Sequence, residues 1–189
     1  TEVFITILVD EGEKFTVGEI NLSGELLGQE KYLMKSILLK SLEVFSNKKL
    51  QLSVEKISQR MGDLGYAFAR VSPIPKKRSN SLVVDFDIKV DPGSRVYVRR
   101  INISGNAKTR DEVIRRELRQ LESSWYDADK IRLSRNRIDR LGYFQGVEMQ
   151  TRPVQETTDQ VDIDVEVQER PLGSITAGVG LSSSEDIVF

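Results

Sequence analysis

The sequence contains no cysteine and no histidine among its 189 residues. Without cysteine there is no disulfide, no thiolate metal site and no thiol nucleophile. Without histidine, Ser-His-Asp chemistry, histidine-ligated zinc and the usual general base at neutral pH fall away. No stretch approaches the roughly 18 consecutive apolar residues of a membrane helix. The opening Thr1-Glu2-Val3-Phe4-Ile5-Thr6-Ile7 lacks the basic start of a signal peptide. Charge of one sign is also missing: 28 Lys and Arg against 29 Asp and Glu leave a net −1. That balance gives no general pull toward nucleic acid or anionic lipid. These absences point to a binding or scaffolding module, not an enzyme, with no cofactor, no metal and no nucleic-acid partner.

What is present is an internal repeat. Val9-Asp10-Glu11-Gly12 returns as Val90-Asp91-Pro92-Gly93, and Ile20-Asn21-Leu22-Ser23-Gly24 returns as Ile101-Asn102-Ile103-Ser104-Gly105. Both pairs are offset by 81 residues (90 − 9 and 105 − 24). Further on, Gly65-Tyr66 matches Gly142-Tyr143 and Val84-Asp85-Phe86-Asp87 matches Val161-Asp162-Ile163-Asp164, offset by 77 (142 − 65 and 161 − 84). Two modules therefore sit in tandem, over 13–92 and 93–170. The four extra residues of the first are expected within 40–49. Residues 1–12 resemble the last strand of a further, upstream copy.

Each module has the same order of patterns. Residues 17–23 alternate as a strand, with Val17 and Glu19 on one side and Ile20 and Leu22 on the other, and stop at Gly24. Two helical stretches follow. Leu33, Ile37 and Leu38 mark the first, and Thr109 or Asp111 is the expected cap of its counterpart. Val54, Ile57, Met61 and Leu64 share one face of the second, with Ser53 as the expected N-cap and Gly65 as the stop. The matching face in the other copy is Ile131, Ser134, Ile138 and Leu141, where a serine in place of isoleucine predicts a less filled spot. Two β-rich stretches close each module. In the last of them Val161, Ile163, Val165 and Val167 alternate with Asp162, Asp164 and Glu166, so one face is buried and the other wet. The fold class is α+β: two modules, each β-α-α-β-β, with two helices on one face of a three-stranded sheet. Gly24, Gly65, Gly105 and Gly142 are expected at positive φ.

Several motifs are set aside. Gly62-Asp63-Leu64-Gly65 spells a G-x-x-G loop, but its aspartate would repel phosphate. Asp85 with Asp87, and Asp162 with Asp164, place paired carboxylates on strands, as a cation site or a glycosidase would need. A soluble outer strand face explains them as well.

The tandem β-α-α-β-β order, Leu141-Gly142-Tyr143-Phe144 and the closing Val161-to-Glu169 stretch resemble POTRA domains. The resemblance covers residues 1 to about 170 and is closest to the two barrel-proximal modules of BamA-type outer-membrane β-barrel assembly factors. Residues 171–189, with Ser174-Ile175-Thr176-Ala177-Gly178-Val179, then resemble the first strand of a membrane barrel. The resemblance implies a periplasmic scaffold at the cell outer membrane, attached to the membrane through its barrel. Its implied partners are outer-membrane lipoprotein subunits and unfolded β-barrel clients. Arg115, Arg119 and Glu122 are the implied lipoprotein patch. The strand after the second helix of each module is an expected client edge: Tyr66, Phe68 and Val71 in one, Tyr143 and Val147 in the other. Asp91, Pro92 and Gly93 form the expected hinge, stiffened by its proline. A two-partner-secretion or TamA-type transporter, or a structural envelope adaptor, would carry similar modules.

Overall fold

The computed structural model describes residues 13–171. The expected upstream strand (1–12) and all but the first residue of the expected barrel start (171–189) lie outside the described residues.

The first module runs β1 (Thr16–Gly24), α1 (Glu30–Ser36), α2 (Asn47–Asp63), β2 (Arg70–Lys77) and β3 (Val83–Asp91). The second runs β4 (Tyr97–Ser104), α3 (Asp111–Arg115), β5 (Ser124–Trp125), α4 (Ala128–Asp139), β6 (Phe144–Pro153) and β7 (Gln160–Glu169). The first sheet has the order β1-β3-β2, the second β5-β4-β7-β6. In each, the last strand is central. It pairs parallel with the first strand and antiparallel with the strand just before it. The α+β order expected from the sequence is thus present twice. The second sheet also carries a short fourth strand, β5, against β4.

The cores are separate. Leu33, Ile57, Met61, Ile88 and Val90 form one cluster of the first module, and Val17, Leu39, Leu50 and Phe86 an adjoining one. Ile114, Ile138, Phe144, Val161, Ile163 and Val165 centre the second, all fully buried. The helical faces are largely as read: Ile57, Met61 and Ile138 are at 0% exposure, while Val54, Leu64, Ile131 and Leu141 are half-buried.

Several details of the helices differ from the sequence reading. First, α2 starts earlier, and Ser46 is its N-cap, accepting from Lys49 N–H at 3.4 Å. Ser53 instead lies inside the helix and is fully buried. Its hydroxyl donates to Lys49 C=O at 2.6 Å and accepts from Leu38 N–H at 2.8 Å. Second, Ser134 does the same in the other module: it donates to Lys130 C=O at 2.7 Å and accepts from Arg119 N–H at 2.7 Å. It is the counterpart of Ser53, not of Ile57, so no spot is left less filled. Each serine satisfies the chain leaving the first helix, where an open N–H would otherwise be buried. Third, caps and buried side chains keep the 81-residue offset through Ser46/Asp127, Ser53/Ser134 and Ile57/Ile138. The four extra residues therefore fall between Ile57 and Gly65, as one more turn of α2, and not within 40–49. In α3 the cap position is Arg110, with no side-chain cap.

That extra turn meets the second module. A Cβ on Gly62 would stand 2.8 Å from Ala128 Cβ at the start of α4, so glycine allows the helices to close together here. Burial raises the Asp63 carboxyl above its ordinary pKa at the same turn. Val96 N–H donates to Gly65 C=O at 2.9 Å, and Arg95 lies over the Trp125 ring at 4.5 Å. At the linker, Pro92 is buried, Gly93 takes φ +68°, and Asp91 Oδ1 accepts from Gly93 N–H at 3.2 Å. Gly24, Gly65, Gly105 and Gly142 all have positive φ. For Gly105 the requirement is double: φ is +83° and an added Cβ would fall 1.9 Å from Val167 O.

Candidate functional site

The binding surface read from the sequence is a set of sheet edges. Their state follows from the hydrogen-bond register. Along an antiparallel ladder, alternate residues turn their N–H and C=O inward to the partner or outward to the edge. In the first module Arg78 N–H donates to Val83 C=O, continuing the β2–β3 register. Counting back by two, Lys76, Ile74, Ser72 and Arg70 point inward, and Lys77, Pro75, Pro73 and Val71 point outward. Both prolines therefore sit where an N–H would face open solvent. They leave the internal ladder intact and remove two donors from the free edge.

In the second module Val154 N–H donates to Gln160 C=O and sets the same parity for β6. Here the outward residues are Val147, Met149, Thr151 and Pro153. Val147, Met149 and Thr151 carry N–H groups, and β6 is the last strand of its sheet among the described residues. The two edges are alike in topology and differ in donors: β2 keeps outward N–H groups only at Val71 and Lys77, separated by the two prolines, whereas β6 keeps three in succession.

The expected edge residues fall as follows. Val71 and Val147 are in their strands, β2 and β6. Tyr66 and Phe68 lie in the turn leading to β2. Tyr143 just precedes β6, and its C=O accepts from Arg170 N–H at 2.9 Å, on the β7 side and not at the free edge. Val147 is buried on the helix side, and its use at the edge is through its backbone.

The far edge of the second sheet is closed by the chain itself. β5 pairs with Tyr97 and Val98 of β4, and Ser123 N–H donates to Val98 C=O at 2.8 Å. Beyond β5, Glu122 Oε1 accepts from Ile101 N–H at 2.8 Å, and Arg115 Nη2 donates to Ile101 C=O at 3.1 Å. Arg115 also pairs with Asp111 at 2.6 Å and with Glu122 at 3.6 Å. Arg119 is exposed and donates to the C=O of Arg116 and Leu118 at the end of the first-helix segment. The three residues of the expected lipoprotein patch thus lie on one stretch, 115–122. The sequence reading missed that two of them also hold the β4 backbone; a carboxylate seven residues from an arginine gives no local sign of it.

The paired acids are engaged with cations on the wet face of each sheet. Asp85 is held by Arg78 at 2.7 Å and by Glu19 N–H at 2.6 Å, which puts its carboxyl below the usual range, the Arg78 bond being the larger cause. Asp162 is likewise lowered by Arg99, 2.9 Å away. Asp164 pairs with Arg152 at 2.9 Å, and Asp87 lies 3.9 Å from Lys76. Their geometry is that of surface ion pairs. The Glu19 contact also marks a bulge: the β1–β3 register shifts between Val17 and Ile20, which brings both residues to the core side and breaks the simple alternation read from the sequence.

The POTRA family, described as a surface antigen variable number repeat, matches residues 15–93 and again 96–170. The chain is 36% identical over 190 residues to the outer membrane protein assembly factor BamA of Neisseria meningitidis serogroup B, covering 100% of this chain and 24% of that protein. It is 31% identical over 185 residues to the BamA of Nitratidesulfovibrio vulgaris, covering 96% of this chain and 23% of that one. The chain thus spans about a quarter of the length of these relatives. Among solved structures, Haemophilus influenzae BamA POTRA3-5 matches 84% of this chain and 63% of its own, at TM-score 0.79 and 28% identity. BamA of Haemophilus ducreyi lacking POTRA domains 1-3 matches 82% of this chain and 30% of its own, at TM-score 0.68 and 34% identity.

Proposed function

The chain belongs to the POTRA family, and from that premise we propose that it is the barrel-proximal periplasmic part of an outer-membrane protein assembly factor. Its work is to hold unfolded barrel segments and accessory lipoproteins beside the membrane-embedded barrel. The names of its relatives support the process, and the match to a BamA chain without its first three POTRA domains supports the position in the array. The observation that carries the client role is the β6 edge, with three outward residues, Val147, Met149 and Thr151, that each present an N–H. A strand adding there bonds through backbone alone and so accepts many sequences. The reading needs no bond-making step.

The lipoprotein patch is the stretch with Arg115, Arg119 and Glu122. Two glutamate replacements separate its two roles. Glu122→Lys removes the acceptor for Ile101 N–H and reverses the charge. Glu122→Gln keeps an oxygen acceptor and removes only the charge. Co-purification of lipoprotein subunits with the membrane-bound protein is expected to fall several-fold for both, with Glu122→Gln still fully folded by circular dichroism. Undiminished co-purification with Glu122→Gln would mean that the carboxylate serves the sheet edge and not a partner.

A further inference from the structure

The second module fills a place in its own sheet that, among the described residues, the first leaves open. Ile101 turns both backbone groups away from β7, and Glu122 and Arg115 supply the acceptor and the donor that a neighbouring strand would. The 81-residue offset maps Ile101, Arg115 and Glu122 onto Ile20, Met34 and Ser41. The backbone around Ile20 has the same form. The register shifts just before it, as it does before Ile101. Upstream, Val17 is already covered by its own chain: its N–H donates to Glu43 C=O at 2.9 Å and its C=O accepts from Leu42 N–H at 2.8 Å. Downstream, Glu25 N–H donates to Val90 C=O, so Ser23 and Asn21 face β3, while Leu22 and Ile20 face outward.

At this point the two modules part. The methionine side chain has no N–H to give, and among the described residues neither Met34 nor Ser41 bonds to Ile20. The surroundings are apolar as well. Leu22, Leu26 and Met34 line a groove beside β1, with Glu30, Lys31 and Lys35 on its rim. Met34 is 48% exposed, a large apolar side chain at the mouth of an edge that no described residue pairs with. The rim carries both signs of charge, so it selects for no strongly charged ligand.

We propose that the β1 edge at Ile20 and Leu22 is a docking slot for an extended, alternately apolar segment of an unfolded barrel protein. The segment pairs with the outward groups of Ile20 and Leu22 and lays an apolar side chain against Leu22, Leu26 and Met34. In the second module, Arg115 and Glu122 imitate that segment and close the slot. The identity of the client rests on the functional reading above; the slot itself rests on the contrast between the repeats. The first module then holds clients at β1, its β2 edge being interrupted by two prolines, and the second at β6, its β4 edge being capped.

The test is an amide NMR titration of the 189-residue chain with a ten-residue peptide copied from a strand of an outer-membrane barrel. Shifts are expected at Ile20 and Leu22, and separately at Val147, Met149 and Thr151. The double replacement Met34→Arg with Ser41→Glu transplants the capping pair. It is expected to weaken binding at Ile20 and Leu22 at least tenfold while leaving the β6 shifts in place. Met34→Lys, which puts a charge into the groove, is expected to act the same way and serves if the double variant folds poorly. Shifts at β6 without shifts at β1 overturn the slot and leave the functional reading standing. Shifts at neither edge overturn both. Shifts at β1 that survive both replacements overturn the slot.

Discussion

Replacing Ile138 by alanine is expected to destabilise the second module by about 2–5 kcal/mol, the range for deleting a buried aliphatic side chain that leaves a cavity. Ile138 is at 0% exposure and, with Ser134, is one of only two buried residues on α4 among the described residues. Ser134 is spent on Arg119 N–H and Lys130 C=O, so Ile138 is the buried apolar side chain by which α4 packs on the strand residues Val161, Ile163 and Val165. Small domains have stabilities of roughly 5–15 kcal/mol, so a loss of this size removes a large share of the margin. The sequence has one tryptophan, Trp125, and it lies on β5 of the same module. Its fluorescence therefore reports this module's melting. A clear drop in the Trp125 midpoint is expected for Ile138→Ala, and a much smaller one for Ile57→Ala, which empties the core of the first module. Equal shifts from both would mean one cooperative core instead of two.

Met149→Pro is expected to weaken the binding of a barrel-strand peptide at β6 at least tenfold. The residue faces outward, so proline there removes no bond of the β6–β7 ladder. The repeat supplies the precedent. Pro73 pairs in register with Ile88, and Met149 pairs with Val165 at the matching place of the other sheet. One strand already tolerates the change that the other is given. Fluorescence anisotropy of a labelled peptide measures the loss, and an unchanged far-ultraviolet spectrum shows that the sheet remains. Binding that is indifferent to Met149→Pro would mean that client recognition runs through side chains or through another surface.

The repeat and the α+β order were legible because they rest on glycines in obligatory conformations and on burial with clear periods. Gly24, Gly65, Gly105 and Gly142 punctuate both copies at the same structural points. The position of the extra four residues was not legible for a physical reason. A helix presents nearly the same face after one turn, so sliding α2 by four residues keeps an apolar stripe. Ser134 could thus be matched to Ile57 as well as to Ser53, and only the buried hydroxyls of both serines, bonded alike, decide the register. The bulge before Ile20 was hidden because a period of two says nothing about one inserted residue. β5 is two residues long and shows no period at all. At the candidate site, the strands that form the edges could be read, but not which edge is open. That depends on the parity of the ladder, which places Pro73 and Pro75 outward, and on Glu122 reaching Ile101 across 21 positions of sequence.

In the proposed function, exposed backbone and not a pocket holds the client. Amide hydrogen exchange at Val147, Met149 and Thr151 tests it most directly. In the free chain these three N–H groups are predicted to exchange fast while their neighbours Glu148 and Gln150, bonded into the ladder, exchange slowly. Saturation with the barrel-strand peptide is predicted to slow all three. Exchange at these positions that stays fast under saturating peptide would contradict the account.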